Sequence, residues 1–198
     1  MIFSSHPMKG IEDAVYVLEK IYKKYPDIKI ILFGFEPKPK NINFKFTYLR
    51  GLAGSSVKEV YAKSDIFLST SIQEGFNNPP SEAMAAKCAV LATKVGSTPH
   101  TTEHMINGVI VEPRDTAEME KFLSLLIEDR DLRISLSENG FKSIQQLTWD
   151  DTIKKSILSP NDKGGETTYI KNMKDRPNVI EYKNIVASFI FIAITNNM

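Results

Sequence analysis

Residues 65–86 read DIFLSTSIQEGFNNPPSEAMAA, and three patterns follow one another in this segment. Asp65–Ser69 has the length and the apolar centre of a buried strand, a polar loop follows it, and Ala83–Ala86 has helical character. Glu74 and Glu82 lie in and just after the loop. Carboxylates accept hydrogen bonds from hydroxyl groups, and the amides of a helix N-terminus attract anionic oxygens. The segment therefore predicts a site for a ligand that carries both hydroxyls and phosphate.

Strand-length apolar runs alternate with helical patterns on both sides of this segment. Strands are predicted at residues 1–5, 29–34, 45–49, 65–69, 88–93 and 108–111. Runs such as Ile30–Phe33 and Ala89–Ala92 are continuously apolar, which is typical of strands covered by helices on both faces. The order predicts a doubly wound, Rossmann-like α/β domain over residues 1–158, with a parallel sheet of about six strands and helices on both faces.

Helical patterns connect the predicted strands. Helices are predicted at 11–22, after a cap at Ser55 or Ser56, at 115–129 with Asp115 as cap, at 130–147, and from Trp149 onward. Sheets of this kind bind ligands at the carboxyl ends of their strands. The loops that carry Lys9 and Glu74 each follow a predicted strand, so we expect both loops at that edge.

Composition limits the classes of protein to consider. The chain has 198 residues, of which 42% are hydrophobic and 25% charged, so a packed core is expected. A net charge of +1 gives no indication of nucleic-acid binding. The single cysteine, Cys88, excludes an intramolecular disulfide and fits a reducing compartment. Met1–Ser5 has neither the basic nor the long apolar region of a signal peptide.

The chain changes character near Ser159. Pro160–Gly165 has the composition of a linker, so residues 159–198 are predicted to form a divergent C-terminal extension. The longest apolar run, Ile185–Ile194, has ten residues and is too short to span a bilayer as a helix. It is interpreted as a buried strand or a core helix.

Several blocks, in order, resemble the carboxy-terminal half of retaining glycosyltransferases of the group 1 (family 4) type, which have the two-domain GT-B fold. The resemblance covers roughly residues 1–157, and the E-x7-E spacing becomes specific through the order of the blocks. The blocks are Asp65–Ser69, Glu74–Phe76, Glu82–Ala85, Ala89–Thr93, Val95–Gly96 and Asn107–Pro113. The chain departs from the family at Ser4–His6, where an arginine is common.

The resemblance implies roles for particular residues, because in this family the C-terminal half binds the sugar nucleotide. Glu74 would contact hydroxyls of the transferred sugar, and Glu82 would bind the ribose hydroxyls. The amides of Phe76, Asn77 and Asn78 would approach the sugar and the diphosphate.

Lys9 would hold the donor diphosphate, according to the same resemblance. The Lys9–Gly10 pair is expected to begin a helix, where a lysine opposes the helix dipole and a phosphate would resolve the conflict. His6 is expected to cap or pack. Base contacts would come from the backbone around Leu49–Gly51, which includes Arg50.

Each of these residues also has an interpretation that needs no ligand. A glutamate in the first turn of a helix, as expected for Glu82, is stabilised by the helix dipole alone. Glu74 and Lys9 would then be solvated surface charges. Asp129–Asp131 has the D-x-D pattern of another glycosyltransferase fold, but its position between two helices favours a solvated turn. Cys88 is interpreted as a core residue.

A complete enzyme of this family is close to twice as long as this chain. The resemblance therefore implies the donor-binding half of a retaining hexosyltransferase, which moves a sugar from a nucleoside-diphosphate sugar to a glycan or lipid-linked acceptor in polysaccharide biosynthesis. A separate N-terminal chain would supply the acceptor site.

Two alternatives stay open at this point. One is a truncated nucleotide-sugar-binding module without turnover, and the other is half of a GT-B sugar-nucleotide epimerase. No cofactor is expected, because the nucleoside-diphosphate sugar is a substrate. No metal is expected either, because the resemblance implies none and the histidines lack metal-ligand spacing. A cytoplasmic location is expected, with contact to the inner face of a membrane through the N-terminal half.

Overall fold

A computed structural model of the chain describes residues 6–146 and the backbone of residues 191–195. The chain divides into two compact units, one of residues 1–144 and 188–198 and one of residues 145–187. The first unit contains the sheet. The strand predicted at 1–5, the helix predicted from Trp149 and most of the predicted extension lie outside the described residues.

Helices separate most consecutive strands of the described residues, as predicted. The helices are α1 (Ile11–Lys24), α2 (Ser55–Ala62), α3 (Asn78–Ala85), α4 (Thr98–Thr101), α5 (Thr116–Glu128) and α6 (Arg130–Gln146). The strands are β1 (Lys29–Gly34), β2 (Thr47–Arg50), β3 (Ile66–Ser69), β4 (Ala89–Thr93), β5 (Val109–Val111) and β6 (Phe191–Thr195). A short 3-10 turn, Pro7–Lys9, precedes α1. No helix in these parts of the chain is long and apolar enough to cross a membrane.

The sheet has six strands in the order β2-β1-β6-β3-β4-β5. The pairs β1–β2, β3–β4 and β4–β5 are parallel, with registers such as Phe67 opposite Val90. β6 is antiparallel to both of its neighbours and places Ile194 opposite Ile30 and Ile66. The predicted α/β fold is confirmed, but the sheet is mixed because a strand from the predicted extension lies at its centre.

The central strands are buried on both faces. Every residue of β3 and every residue of β4 is buried. Successive side chains of a strand point to opposite faces, so burial of all of them requires cover on both sides of the sheet. The continuous apolar runs therefore indicated their environment correctly, and the carboxyl edge remains as the open side for a ligand.

Two of the predicted helix starts can be compared directly. The Asp115 side chain accepts a hydrogen bond from the Glu118 amide at 2.9 Å, which confirms the predicted cap of α5. The prediction of a serine cap for α2 was wrong, because Ser55 is already the first helical residue and Gly54 precedes it. Gly54 has φ 58°, a conformation that serine adopts only with strain.

α3 ends in a Schellman motif. The Cys88 amide donates to the Ala83 carbonyl at 2.9 Å, and the Lys87 amide donates to the Met84 carbonyl at 3.0 Å. Lys87 has φ 61°, the left-handed conformation that glycine usually supplies at this position. Its ammonium group also pairs with Glu138 at 2.9 Å on the exposed surface.

We expect Lys87→Gly to raise the free energy of unfolding by about 1 kcal/mol, because the left-handed conformation costs glycine nothing and the exposed ion pair contributes little. Urea denaturation measures this change. Lys87→Ala is the matched control, since it also removes the ion pair but keeps a Cβ atom at the strained position. Equal stabilities of the glycine and alanine variants would contradict the backbone argument.

Candidate functional site

The 3-10 turn at Pro7–Lys9 is fixed to the loop that follows β3. His6 caps the turn, because its Nδ1 accepts a hydrogen bond from the Met8 amide at 3.3 Å. The Ile72 amide donates to the Met8 carbonyl at 2.7 Å. The capping prediction for His6 is confirmed. Lys9 was placed incorrectly in the sequence analysis, because it ends this turn and lies before α1 instead of within its first turn.

Gly10 allows the close approach of these two segments. It has φ 62°, and a Cβ atom built on it would lie 1.9 Å from the Thr70 carbonyl oxygen. The Thr70 hydroxyl donates to the Lys9 carbonyl at 3.1 Å. Only a residue without a side chain fits between the turn and the end of β3. The glycine after Lys9 is therefore required by packing, whatever the ligand.

Lys9 and Glu74 form an ion pair across 65 residues of sequence. The Lys9 Nζ atom lies 2.7 Å from Glu74 Oε1, and the side chains are only 18% and 10% exposed. The Ser71 hydroxyl donates to the same carboxylate oxygen at 2.6 Å. The interpretation of Lys9 and Glu74 as separate solvated charges was wrong. Ser71 was missed, although its spacing of three residues from Glu74 was a usable signal.

Two prolines restrict anion binding at the N-terminus of α3. The helix begins at Asn78, and Pro79 and Pro80 are its second and third residues. A helix leaves its first four amides without intrahelical partners, and proline has no amide hydrogen. The amides of Asn77 and Asn78 are therefore those that remain for an anion. Both belong to the residues predicted to approach the diphosphate.

The loops after β3 and β4 are joined at Phe76 and Asn77. The Ser97 amide donates to the Phe76 carbonyl at 2.7 Å, and the Asn77 side-chain amide donates to the Thr98 hydroxyl at 2.9 Å. Asn77 is buried, with φ 65°, whereas the Phe76 ring is 54% exposed. These contacts fix the backbone of the loop and leave the Phe76 ring facing solvent.

Glu82 is the fifth residue of α3, so it lies beyond the first helical turn. The interpretation that relied on the helix dipole is therefore wrong. The residue is exposed, but its Oε2 accepts a hydrogen bond from the buried Tyr61 hydroxyl at 3.0 Å. Loss of hydration near Tyr61 raises the pKa of Glu82, and the hydrogen bond from Tyr61 opposes that increase. Tyr61 was missed in the sequence analysis.

Arg50 is the last residue of β2 and is exposed. Its Nε donates to the Phe35 carbonyl at 3.1 Å, which ties the end of β2 to the loop after β1. Within the described residues, no hydrogen bond joins Arg50 to Lys9, Glu74 or Glu82. The structure thus places Arg50 at the same edge of the sheet but outside the ion-paired cluster.

Two other residues have structural roles, and only the core position of Cys88 was predicted as such, because Asp129 was expected in a solvated turn. Asp129 caps α6, because its carboxylate accepts a hydrogen bond from the Leu132 amide at 2.9 Å. Cys88 is 1% exposed, and its thiol donates to the carbonyls of Tyr61 and Ser64 at 3.3 Å each. Burial raises the pKa of Cys88 to about 12, so it is a neutral core residue.

The fold and the polar cluster define a class: a doubly wound α/β domain whose candidate ligand groups lie on loops after the strands. Residues 4–143, more than half of the chain, match the family described as "Glycosyl transferases group 1". The chain belongs to this family.

Curated relatives share the sequence over most of this chain. N-acetyl-alpha-D-glucosaminyl L-malate synthase of Bacillus anthracis is 27% identical, over 86% of this chain and 44% of its own length. D-inositol 3-phosphate glycosyltransferase of Corynebacterium kroppenstedtii is 24% identical, over 72% of this chain and 35% of its own length. The chain thus spans less than half the length of these relatives.

Solved structures show the same fold. The C-terminal domain of a glycosyl transferase group 1 family protein from Francisella tularensis has a TM-score of 0.63 and 29% identity, covering 71% of this chain and 80% of that domain. HepE of Anabaena in complex with UDP-glucose has a TM-score of 0.51 and 22% identity, covering 75% of this chain and 36% of HepE. At that identity the likeness to HepE shows the fold alone.

We expect Gly10→Ala to lower the free energy of unfolding by at least about 2 kcal/mol, because the added methyl group collides with the Thr70 carbonyl. Gly51→Ala is a suitable control, since Gly51 has φ 70° but no atom within 4 Å of a built Cβ. Chemical denaturation of both variants separates collision from backbone strain. An equal loss of stability in the two variants would show that the close contact with Thr70 contributes nothing.

Proposed function

We propose that this chain is the donor-binding half of a retaining glycosyltransferase of the hexosyltransferase class, which moves a sugar from a nucleoside-diphosphate sugar to a glycan or lipid-linked acceptor. Membership of the group 1 family supports the type of reaction. The likeness to a C-terminal domain that was solved separately, of which this chain covers 80%, supports the assignment to the donor-binding half.

The observation that carries the proposal is the ion pair between Lys9 and Glu74 at the carboxyl edge of the sheet. An ammonium group can bind phosphate oxygens, and a carboxylate can accept hydrogen bonds from sugar hydroxyls. Because the two groups are in contact, one ligand can reach both if it carries a diphosphate directly attached to a sugar. A nucleoside-diphosphate sugar has this arrangement.

Each residue of the cluster then has a role in the transfer reaction. Lys9 and the amides of Asn77 and Asn78 stabilise the negative charge that develops on the departing nucleoside diphosphate. Glu74, held by Ser71, orients the sugar through its hydroxyls. In this scheme Lys9 and the backbone amides, instead of a metal ion, stabilise the charge of the leaving group.

The nucleoside is bound at the other end of the same edge in this proposal. Glu82 accepts hydrogen bonds from the ribose hydroxyls, and the exposed backbone beside Arg50 contacts the base. The Phe76 ring borders the position of the sugar. The acceptor site and any contact with the inner face of a membrane belong to an N-terminal half in this proposal, and the donor-binding domain acts in the cytoplasm.

A nucleotide-sugar-binding module without turnover is the second candidate, because every residue to which a role is assigned above acts on the donor and none on an acceptor. Incubation of the isolated chain with a donor that it binds distinguishes the two functions. Release of free nucleoside diphosphate shows turnover by the chain itself, whereas binding without release in the presence of candidate N-terminal halves supports the module.

We expect calorimetric titration with UDP-, GDP- and ADP-sugars to show binding of at least one of them. Glu82→Ala should weaken that binding by about 1–3 kcal/mol, because the ribose hydroxyls lose a charged hydrogen-bond acceptor. Lys9→Ala should weaken it by about 1.5–3 kcal/mol, because a diphosphate loses a charge-assisted hydrogen bond.

Lys20→Ala is the matched control for the lysine variant. Lys20 pairs with Glu120 at 2.8 Å on the exposed surface between α1 and α5, away from the strand ends. Its replacement should leave the nucleotide affinity unchanged. If no nucleotide sugar binds to the folded wild-type chain, or if Lys9→Ala and Lys20→Ala bind with equal affinity, the proposed donor site is wrong.

A further inference from the structure

Tyr61 holds a hydroxyl group rigidly beside Glu82. The side chain is at the end of α2, and the residue is only 4% exposed. Its ring packs edge-on against Phe33 and Phe67, with centroid distances of 6.4 Å and 5.9 Å. Its carbonyl accepts hydrogen bonds from the Ser64 amide and the Cys88 thiol. Backbone and ring are thus both fixed, and the hydroxyl has a defined position.

The hydroxyl of Tyr61 forms a hydrogen bond with one of the two carboxylate oxygens of Glu82. It donates to Oε2 at 3.0 Å. Within residues 6–146, no other hydrogen bond to the Glu82 side chain is formed. Because Glu82 is exposed, its Oε1 can be reached by a ligand. The carboxylate is therefore anchored through one oxygen and open through the other.

We infer that Tyr61 is a positioning residue, whose hydroxyl holds the Glu82 carboxylate in the orientation that accepts hydrogen bonds from the vicinal hydroxyls of a ribose. The inference rests on the proposed function for the identity of the ligand. It adds a residue that does not itself touch the nucleotide. It also predicts that this hydrogen bond lowers the pKa of the Glu82 carboxyl and so favours the ionised form, which is a pure acceptor.

Among the polar groups around Glu82, Tyr61 is the one that affects the orientation and the pKa of the carboxylate. β3 and β4, which pack against α3, contain no titratable side chain. His100 on α4 and the charged residues Lys58 and Glu59 on α2 are exposed to solvent. Cys88, in contact with the Tyr61 carbonyl, is neutral because burial raises its pKa to about 12.

Tyr61 itself stays protonated across the neutral range. Burial raises the pKa of its hydroxyl well above the ordinary value, and the negative charge of Glu82 raises it further. The hydroxyl is therefore a constant donor, and Glu82 is the member of the pair that titrates. Loss of the donor leaves the loss of hydration near residue 61 as the main effect on the pKa of Glu82, so that pKa should rise in a Tyr61→Phe variant.

The first experiment follows the titration of Glu82 in the full chain without a ligand. Carboxyl carbons of glutamate are labelled with carbon-13, and Glu82→Gln assigns the resonance by its disappearance. We expect Tyr61→Phe to move the Glu82 titration to higher pH. Tyr25→Phe is the control, because it removes a tyrosine–carboxylate hydrogen bond, to Glu128, at the opposite edge of the sheet. It should leave the titration of Glu82 unchanged.

The second experiment measures nucleotide affinity against pH with the nucleotide sugar that the wild-type chain binds. Protonated Glu82 has lost an acceptor, so affinity should fall as the pH decreases through its pKa. In Tyr61→Phe we expect about tenfold weaker binding at pH 7 and a fall in affinity that begins at higher pH than in the wild type. A purely structural role would weaken binding equally at every pH.

The outcomes separate this inference from the proposed function. A wild-type chain that binds no nucleotide sugar refutes the proposed function, and an unchanged titration of Glu82 in Tyr61→Phe overturns the inference. A pH-independent loss of affinity also overturns it. If Tyr61→Phe does not fold, Glu82→Asp tests the same hydrogen bond, because it withdraws the carboxylate from Tyr61 by one methylene group. Wild-type affinity in Glu82→Asp would contradict the inference.

Discussion

The contact between the Pro7–Lys9 turn and the loop after β3 is the constraint on which the site depends. It requires a glycine at position 10, because a Cβ atom would lie 1.9 Å from the Thr70 carbonyl. The Met8 carbonyl accepts a hydrogen bond from the Ile72 amide, and the Lys9 carbonyl accepts one from the Thr70 hydroxyl. These bonds fix the turn against the end of β3. This contact brings Lys9 to Glu74, so the ion pair follows from backbone packing and not from attraction between the charges alone.

The ion pair explains how a lysine and a glutamate can be sheltered from water before a ligand arrives. Each side chain is at most 18% exposed, and each compensates the charge of the other. Ser71 adds a neutral donor to the carboxylate. An incoming diphosphate can therefore bind Lys9 while Glu74 keeps one hydrogen bond, and sugar hydroxyls can replace the lost contact. Lys9 can thus bind an anion, and neither Lys9 nor Glu74 is an isolated buried charge before the anion binds.

The centre of the sheet adds a feature that a repeating β/α pattern does not contain. β6 separates β1 from β3 and runs opposite to both. An antiparallel strand satisfies the hydrogen-bonding groups of its neighbours as a parallel strand does. Because β6 runs opposite to both neighbours, β1 and β3 run in the same direction. The five parallel strands thus share one direction, and their carboxyl ends lie at one edge. The site at that edge is compatible with a mixed sheet.

The sequence by itself determined the class of fold and the edge that carries the candidate site. Continuous apolar runs such as Ala89–Ala92 indicate two-sided burial, and this property depends only on local composition. Short-range signals such as the Asp115 cap were predictable for the same reason. The central position of β6 and the partners Ser71 and Tyr61 were decided only by the tertiary structure. A strand does not encode its neighbours locally, and Tyr61 meets Glu82 only because the tertiary fold brings the end of α2 to α3.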